Sequence, residues 1–387
     1  MSYERIQDRL GSKNLDALMV RDDSSNPSMY YLTGFEASDP FIFLQVDGST
    51  KIVVPQLEYS RAVDESHVDE VLSTSEFVDG EARDDRDKQI TVIEGLMKEN
   101  DIDKLAVPAE FPLGMARDLE ELGFSIEPLN NILMDLRKTK TPSEIQSIRD
   151  IQRNTEEAMK VVKGMIKDAD IESGFLKYDK EYLTSEMIKQ EVRDFLESRN
   201  CETPEGTLVA SGKDSSDSHK MGSGKIKSNE PVVVDIFPKS ESGYFGDMTR
   251  TFVKGEKPQE VEDMRKAVKE ALNEGLNVLE QGSGIEAREV HKKVCETLEK
   301  HGYNTIRQEG ETESGFVHST GHSIGLELHE PPRIAENNDV LEEGMVLTIE
   351  PGLYLPDIGG LRLEDMIIIK EDGYENLNSM DYTVEVN

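Results

Sequence analysis

The sequence predicts a protein of the α/β (α+β) class, built from two successive domains that each combine helices with a sheet. The chain has 387 residues, which is more than a single hydrophobic core usually holds. Its first third alternates helical and strand-like patterns, and the remainder combines long helical periodicities with short apolar strands. We therefore expect an amino-terminal α/β domain followed by a second mixed domain.

The elements of the first domain are indicated by helical spacing at the start of the chain and by apolar runs after it. We predict a helix over residues 3–10 and strands over residues 17–20, 41–45 and 51–54.

A polar segment separates the two domains. Residues 136–144 read Leu-Arg-Lys-Thr-Lys-Thr-Pro-Ser-Glu, in which Ser143 with Glu144, after Pro142, has the pattern of a helix start. We predict a long polar helix from there to about residue 167. The boundary is placed near Arg137, which gives domains 1–136 and 137–387.

After this long helix comes an acidic stretch, residues 167–180, whose weak periodicity predicts a loop or a solvated insertion. Helical spacing returns in three segments, and three apolar runs predict strands. The helices are predicted over residues 184–198, 258–281 and 285–301, and the strands over residues 232–237, 345–350 and 361–370.

The charge balance excludes several classes of partner. Acidic residues number 79 against 44 basic ones, a formal net charge of −35, and such a field repels phosphate backbones and anionic membranes. We expect neither a nucleic-acid nor a membrane partner. An ordinary acidic surface and an adaptation to high salt both explain the composition.

Cysteine usage and the start of the chain indicate a compartment. The sequence contains Cys201 and Cys295 without metal-like spacing, so no disulfide framework is expected and a reducing environment is favoured. The first residues lack the apolar stretch of a signal peptide, and no run approaches the ~18 apolar residues of a membrane span. We expect a cytoplasmic protein.

Two aspartates lie at either end of a predicted hairpin. Asp235 follows Val232-Val-Val, and Asp247 begins Asp-Met-Thr-Arg-Thr-Phe after a glycine. The two carboxylates could meet across the hairpin. Aspartate is also common at turns, so the pair alone leaves a purely structural role open.

Histidines concentrate in one segment. Three of the seven histidines in the chain, His318, His322 and His329, fall within Phe-Val-His-Ser-Thr-Gly-His-Ser-Ile-Gly-Leu-Glu-Leu-His-Glu-Pro-Pro-Arg, residues 316–333. Imidazoles close together beside glycines indicate a site that uses metal ligands or proton carriers.

Two glutamates occupy apolar strands. Because every second side chain of a strand points to the same face, Glu350 shares a face with Val346 and Thr348. In the strand predicted over residues 361–370, Arg362 and Glu364 share a face for the same reason. Buried charges must be paired or bound to metal. An exposed ion pair between Arg362 and Glu364 is the alternative, which the apolar residues 366–369 disfavour. Four carboxylates and one imidazole suit two divalent ions, with manganese expected foremost and cobalt, zinc or iron as alternatives.

These segments resemble the pita-bread metallopeptidase family, which includes Xaa-Pro dipeptidases (prolidases), Xaa-Pro aminopeptidases, methionine aminopeptidases and creatinase. The resemblance covers nearly the whole chain and implies a creatinase-like amino-terminal domain followed by a pita-bread catalytic domain. Residues 26–35, Asn-Pro-Ser-Met-Tyr-Tyr-Leu-Thr-Gly-Phe, are similar to the former. The metal ligands that the resemblance implies are Asp235, Asp247, His322 in Thr-Gly-His-Ser, Glu350 in Ile-Glu-Pro-Gly and Glu364 in Leu-Arg-Leu-Glu-Asp.

The resemblance also implies roles for further residues. His219 and His329 are expected to bind substrate and, with Glu350, to take part in catalysis. The other expected substrate-binding residues are His318, Arg333 and Arg362. A proline-containing di- or oligopeptide would be the substrate, a hydroxide bridging two divalent ions the nucleophile, and a homodimer the assembly.

The sequence departs from the family at two places. Asp235 and Asp247 are 12 positions apart, one more than is usual, which predicts a longer hairpin turn within residues 238–243. Ser323 replaces the common glycine after the ligand histidine.

The expected activity is that of an Xaa-Pro dipeptidase. An Xaa-Pro aminopeptidase acting on longer peptides is the close alternative. A protein-interaction module is the non-enzymatic alternative, although such modules normally lose ligands. Creatinase chemistry, which does not use metals, gives no reason for the carboxylate set.

Overall fold

The computed structural model describes residues 3–78, 85–307 and 314–387 and confirms the mixed α/β class. Its contacts divide the chain into two compact units, Met1–Arg137 and Lys138–Asn387. Within the described ranges, no helix is both long enough and apolar enough to cross a bilayer.

The first unit is built on a mixed sheet. Its helices are α1 (Tyr3–Lys13), α2 (Pro27–Thr33), α3 (Tyr59–Glu65), α4 (Asp85–Glu99), α5 (Leu113–Glu121) and α6 (Ile132–Arg137). Its strands are β1 (Ala17–Asp22), β2 (Phe41–Val46), β3 (Ser49–Val54), β4 (Glu70–Ser73), β5 (Lys104–Pro108) and β6 (Ser125–Leu129). The sheet order is β4-β3-β2-β1-β5-β6, antiparallel within β1-β2-β3 and parallel elsewhere. The helix and the three strands predicted for this part of the sequence are confirmed.

The second unit contains α7 (Pro142–Asp168), α8 (Ser185–Glu197), α9 (Gln259–Leu279) and α10 (Ala287–Lys300). Its strands are β7 (Asp170–Glu172), β8 (Phe175–Tyr178), β9 (Glu181–Tyr182), β10 (Cys201–Glu202), β11 (Thr207–Ser211), β12 (Val232–Ile236), β13 (Lys239–Ser240), β14 (Met248–Phe252), β15 (Gly321–Ser323), β16 (Glu330–Ile334), β17 (Val346–Ile349), β18 (Gly352–Leu355), β19 (Gly359–Arg362), β20 (Asp365–Ile369) and β21 (Tyr374–Asn376). The larger sheets run β11-β12-β14 and β16-β15-β17-β20-β21.

Each pair of helices packs on one sheet, which produces two half-cores. Helices α7 and α8 share a buried apolar cluster with β12 and β14, and α9 and α10 share another with β17 and β20. Because strand side chains alternate between faces, the residues between these core positions point away from the helices. Those outward positions supply the residues of the candidate site.

Three local predictions need correction. The first is a detail of α7, whose predicted extent is otherwise confirmed: the helix opens at Pro142 with Thr141 as its cap, and not at Ser143. Thr141 Oγ1 accepts the amide of Glu144 at 3.4 Å, and Glu144 Oε2 accepts the amide of Thr141 at 2.9 Å. A capping box needs its acid three residues after the cap, which Thr141 satisfies and Ser143 does not.

The second error concerns residues 167–180, which contain β7 and β8 instead of a loop and form an antiparallel meander with the following strand β9. Tertiary contacts stabilise it. The rings of Phe175 and Tyr182 meet edge to face at 5.8 Å, and the ammonium of Lys225 lies 4.1 Å from the centre of the Tyr182 ring. Strands this short show no alternation that a sequence pattern could detect.

The third error concerns residues 361–370, which are two strands and not one. Strand β19 pairs with β18 and ends at Arg362, and β20 pairs with β17 from Asp365 onward. Glu364 therefore lies in the break between two sheets, where it is not confined to the face that Arg362 occupies.

Glu156 ties α7 to the end of the chain. Its carboxylate accepts the amides of Ser379 at 2.6 Å and Met380 at 3.0 Å, and the ammonium of Lys160 lies 2.7 Å away. Burial alone would raise the pKa of Glu156, but the hydrogen bonds from Lys160, Ser379 and Met380 outweigh it and lower this pKa to about 2. Ionised Glu156 therefore stabilises the folded state.

We expect Glu156→Gln to lower the free energy of unfolding by about 1.5–3 kcal/mol at neutral pH, since charge-assisted hydrogen bonds are lost. A lowered pKa stabilises the fold fully above the unfolded value of about 4.3 and loses that contribution as the pH falls toward about 2. Urea unfolding followed by circular dichroism at pH 7 and pH 3 measures the difference, because the chain has no tryptophan.

Glu157→Gln is the matched control. The Glu157 side chain is 43% exposed and pairs with Arg199 at the surface, where such pairs contribute about 1 kcal/mol or less. If Glu156→Gln costs as much at pH 3 as at pH 7, ionised Glu156 is not the source of the stability.

Candidate metal centre

The strands of the second unit bring the predicted ligands together. Asp235 lies on the face of β12 opposite Val232, Val234 and Ile236, which belong to the α7–α8 half-core. Asp247 immediately precedes β14, and Glu350 immediately follows β17. All ten sequence-predicted site residues line one cavity of about 1100 Å³, namely His219, Asp235, Asp247, His318, His322, His329, Arg333, Glu350, Arg362 and Glu364.

The innermost group consists of Asp247, His322 and Glu364, whose ligand atoms all lie within 4.8 Å of one another. His322 Nε2 is 3.6 Å from both Asp247 Oδ2 and Glu350 Oε1. The three innermost side chains are buried. One imidazole nitrogen and three carboxylates therefore face a common point.

Hydrogen bonding fixes the tautomer of His322. Its Nδ1 lies 3.1 Å from the carbonyl oxygen of Ser323, and a carbonyl can only accept, so Nδ1 carries the proton. Burial lowers the pKa of His322 to about 3, which keeps the ring neutral. The lone pair of Nε2 is consequently directed at the carboxylates, as metal ligation requires.

The negative charge of each carboxylate opposes the ionisation of its neighbours. Burial and the surrounding carboxylates, Glu364 and Asp235 foremost for Asp247, raise the pKa of Asp247 well above its ordinary value. Burial raises the pKa of Glu350 to about 7 against the opposing effect of Arg362, and burial with the charges of Glu350 and Asp235 raises that of Glu364. Nearby cations would reverse these shifts.

One carboxylate oxygen provides a direct test of whether the site fits a cation. Asp235 Oδ1 is buried and has no hydrogen-bond partner among the described residues. Buried polar atoms are normally satisfied. An unpartnered carboxylate oxygen beside Asp247 and Glu364 fits a bound divalent ion.

Arg362 and Thr249 hold the ligands in place. Arg362 donates from Nη2 to Asp235 Oδ2 and from Nε to Thr249 Oγ1, the latter at 3.0 Å. Thr249 Oγ1 donates in turn to Glu364 Oε2 at 2.7 Å. One guanidinium thus positions two carboxylates that are distant in the sequence.

The sequence analysis missed Thr249 and Tyr354. Thr249 lies two residues after Asp247, so the strand period would have placed it on the same face. Tyr354 joins Arg362 to His318, since Arg362 Nη1 lies 3.1 Å from Tyr354 Oη and His318 Nε2 lies 3.0 Å from it. No sequence pattern links those three residues.

His318 and Arg362 face the cavity with most of their polar atoms already engaged. His318 Nδ1 is 2.7 Å from the carbonyl oxygen of Ser319 while Nε2 contacts Tyr354, so both ring nitrogens are occupied. The substrate contact predicted for His318 would therefore not use a free N–H donor, since both ring nitrogens already have partners.

His219, His329 and Arg333 lie nearer to solvent. His219 is exposed and lies on a loop, where its backbone amide donates to Asp217 Oδ1 at 3.0 Å. The ring of His329 lies 4.4 Å from that of His322, centre to centre, and burial lowers the pKa of His329. Arg333 pairs in register with His322 across β15 and β16 and is exposed, and its guanidinium has no acceptor among the described residues.

The two departures from the family pattern have defined surroundings. Between Asp235 and Asp247, Lys239 pairs with Phe245 and a turn occupies residues 240–243, closed by the Gly243 amide donating to the Ser240 carbonyl at 2.8 Å. The Ser323 hydroxyl donates to the Val346 carbonyl at 3.0 Å.

The chain matches known protein families along most of its length. Residues 146–371 match metallopeptidase family M24, and residues 3–139 match the creatinase/prolidase N-terminal domain. The chain is 29% identical to an Xaa-Pro dipeptidase of Pyrococcus horikoshii over 98% of this chain and 97% of that protein.

Solved structures are similar over the same extent. A prolidase from Pyrococcus horikoshii superposes with a TM-score of 0.80 at 26% identity, covering 99% of both chains. An X-Pro aminopeptidase from Thermotoga maritima has a TM-score of 0.77 at 24% identity, covering 96% of this chain and 97% of that one, and shows the fold alone. Since the family match spans more than half of the sequence, the chain belongs to metallopeptidase family M24, whose members use divalent metal ions.

Proposed function

We propose that the protein hydrolyses Xaa-Pro dipeptides with the help of two divalent metal ions. The observation that carries the proposal is the cluster of carboxylates around the neutral His322. Among the described residues, Asp235 Oδ1 in this cluster has no hydrogen-bond partner, and Arg333, which lines the same cavity, has no acceptor. The Xaa-Pro dipeptidase of Pyrococcus horikoshii supports the choice of bond.

Five residues would hold the ions, and no others are needed. They are Asp235, Asp247, His322, Glu350 and Glu364. When bound, two divalent cations polarise a peptide carbonyl and lower the pKa of a water molecule between them. We propose manganese as the native metal, with cobalt, zinc or iron as alternatives, and a homodimer as the assembly.

The remaining side chains act on the peptide. Glu350 would accept a proton from the attacking water, and His329 would contact the substrate carbonyl or transfer a proton to the leaving nitrogen. His219 binds the substrate from the exposed side of the cavity. Proline forms a tertiary amide without an N–H, and a site that acts on the carbonyl does not require that donor.

An Xaa-Pro aminopeptidase is the second candidate. The cavity of about 1100 Å³ has room for more than a dipeptide, which favours longer peptides. A single assay of Xaa-Pro dipeptides against Xaa-Pro-Yaa tripeptides with several metals tests the proposal. Cleavage of neither substrate by metal-loaded protein would refute the function.

We expect Glu364→Ala to abolish activity mainly through loss of metal, because it removes a carboxylate from a shared cluster. The loss should exceed the roughly 10–100-fold that follows removal of an outer-shell partner. Metal stoichiometry measured beside turnover checks this, with the exposed Glu371→Ala as control. A fully active Glu364→Ala enzyme would remove the proposed metal cluster.

His329→Ala should keep its metals and lose about 10²–10⁴-fold in rate, the usual range for general acid or base assistance. His301→Ala is the matched control, since His301 lies at the surface beside Glu270. Metal analysis and steady-state kinetics on the same preparations separate the two effects. Loss of metal from the His329 variant would mean that His329 is a ligand.

Arg333→Ala should lower kcat/KM for an Xaa-Pro dipeptide roughly ten- to hundredfold and barely change that for a tripeptide. The dipeptide presents a free carboxylate next to its proline, which a guanidinium can bind in a bidentate manner, and such contacts are worth about 1.5–3 kcal/mol. Arg153→Ala, at a surface arginine, is the control. Equal losses on both substrates, or none, would favour the aminopeptidase.

A further inference from the structure

A buried ion pair lies behind the loop that joins the two cavity histidines His322 and His329. The ammonium of Lys140 is 3.0 Å from Glu330 Oε2, and the two side chains are only 1% and 2% exposed. A buried charge that loses its partner is strongly destabilising. Neither residue lines the cavity, so any effect of the pair on the reaction must be indirect.

The ammonium group of Lys140 has several hydrogen-bond acceptors. Besides Glu330, its ammonium donates to Ser323 Oγ at 3.2 Å and to the carbonyl oxygen of Lys138 at 3.3 Å. An ammonium has three donors, and all three have acceptors here. Lys140 is therefore fixed, and it fixes Ser323, the residue that follows His322.

Glu330 holds the other end of the same loop. Its second oxygen, Oε1, accepts the amides of Leu326 at 3.1 Å and Glu327 at 3.3 Å. A Cβ added at Gly325 would lie 2.7 Å from both Glu330 oxygens, so the backbone turn wraps closely around the carboxylate. We define residues 323–330 as the histidine loop.

The histidine loop contains His329 and contacts His322, the two imidazoles whose placement the proposed chemistry needs. The Ser323 carbonyl accepts from Nδ1 of His322, and His329 directly precedes Glu330. The two rings stand 4.4 Å apart, centre to centre. A displacement of about 1 Å in a reacting group can cost on the order of 10²-fold in rate.

We propose that Lys140 is a positioning residue, which acts through Glu330 and the histidine loop to hold His329 against the substrate. The proposal rests on the role given to His329 in the proposed function. It explains why a lysine just after the boundary of the first unit is buried among the residues of the second.

Lys140→Met tests the proposal by kinetics. In the metal-loaded enzyme we expect kcat on an Xaa-Pro dipeptide to fall about ten- to hundredfold, with metal content unchanged. Combined with His329→Ala, the same substitution should cost less than about threefold, because residues that act through one another are non-additive. Lys266→Met, at a surface lysine, is the control. Equal losses with and without His329→Ala would overturn the proposal, as would loss of metal.

A second measurement needs no substrate. Hydrogen exchange of the Leu326 and Glu327 amides should accelerate at least about tenfold in Lys140→Met at a temperature where the variant is folded. Unchanged exchange overturns the proposal even if the wild-type enzyme cleaves no Xaa-Pro peptide, so failure of the function and failure of the inference are distinguishable.

A fallback variant covers the case in which Lys140→Met does not fold. Lys140→Met with Glu330→Gln buries no charge, and the glutamine oxygen can still accept from Leu326 and Glu327. The expected kinetic losses and the expected dependence on His329 are the same. A double variant with full wild-type kcat would overturn the proposal.

Discussion

The close approach of several carboxylates to the neutral His322 is the constraint on which the second unit depends. Ionised carboxylates this near to one another repel, and burial removes the water that would weaken the repulsion. The raised pKa of Asp247 and Glu364 reports this conflict. The protein supplies Arg362 as a permanent cation, which donates to one oxygen of Asp235, while the other oxygen has no hydrogen-bond partner in the part of the chain that the structure describes. Divalent ions held by these residues would complete the charge balance that the Arg362 guanidinium begins.

The two half-cores make this gathering of carboxylates compatible with a stable fold, because the strands direct apolar side chains to one face and polar side chains to the other. Val232, Val234 and Ile236 pack on the helices, and Asp235 emerges on the opposite face of the same strand. On β17, Leu347 and Ile349 pack on α9 and α10, and Thr348 points the other way to accept the His322 amide at 3.1 Å. The predicted ligands, which come from distant parts of the sequence, therefore meet at strands and strand ends.

The sequence predicts the individual ligands better than it predicts what holds them. Strand periodicity and the histidine cluster point to Glu350 and His322 because those signals are local, whereas the pair Asp235 and Asp247 leaves a structural role open without the family resemblance. The partner of Lys140 is Glu330, which lies 190 positions away, and no local pattern links the two. The meander at β7–β9 escapes prediction because its strands are too short to show alternation, and the break between β19 and β20 escapes it because only residues 363 and 364 separate the two strands. Tertiary contacts also decide that Tyr354 joins Arg362 to His318.

Burial also distinguishes the site residues whose replacement disturbs their neighbours from those whose replacement disturbs them less. Asp247, His322 and Glu364 are buried and share partners, so replacing any of them disturbs the charges of the others. His219 and Arg333 are exposed, and Arg333 has no acceptor among the described residues. Replacing Arg333 removes no hydrogen bond that the structure shows to the buried residues, although, beside burial, its charge contributes to the lowered pKa of His322. The proposed selection of peptide ends would therefore rest on exposed side chains of the cavity, which the fold alone does not determine.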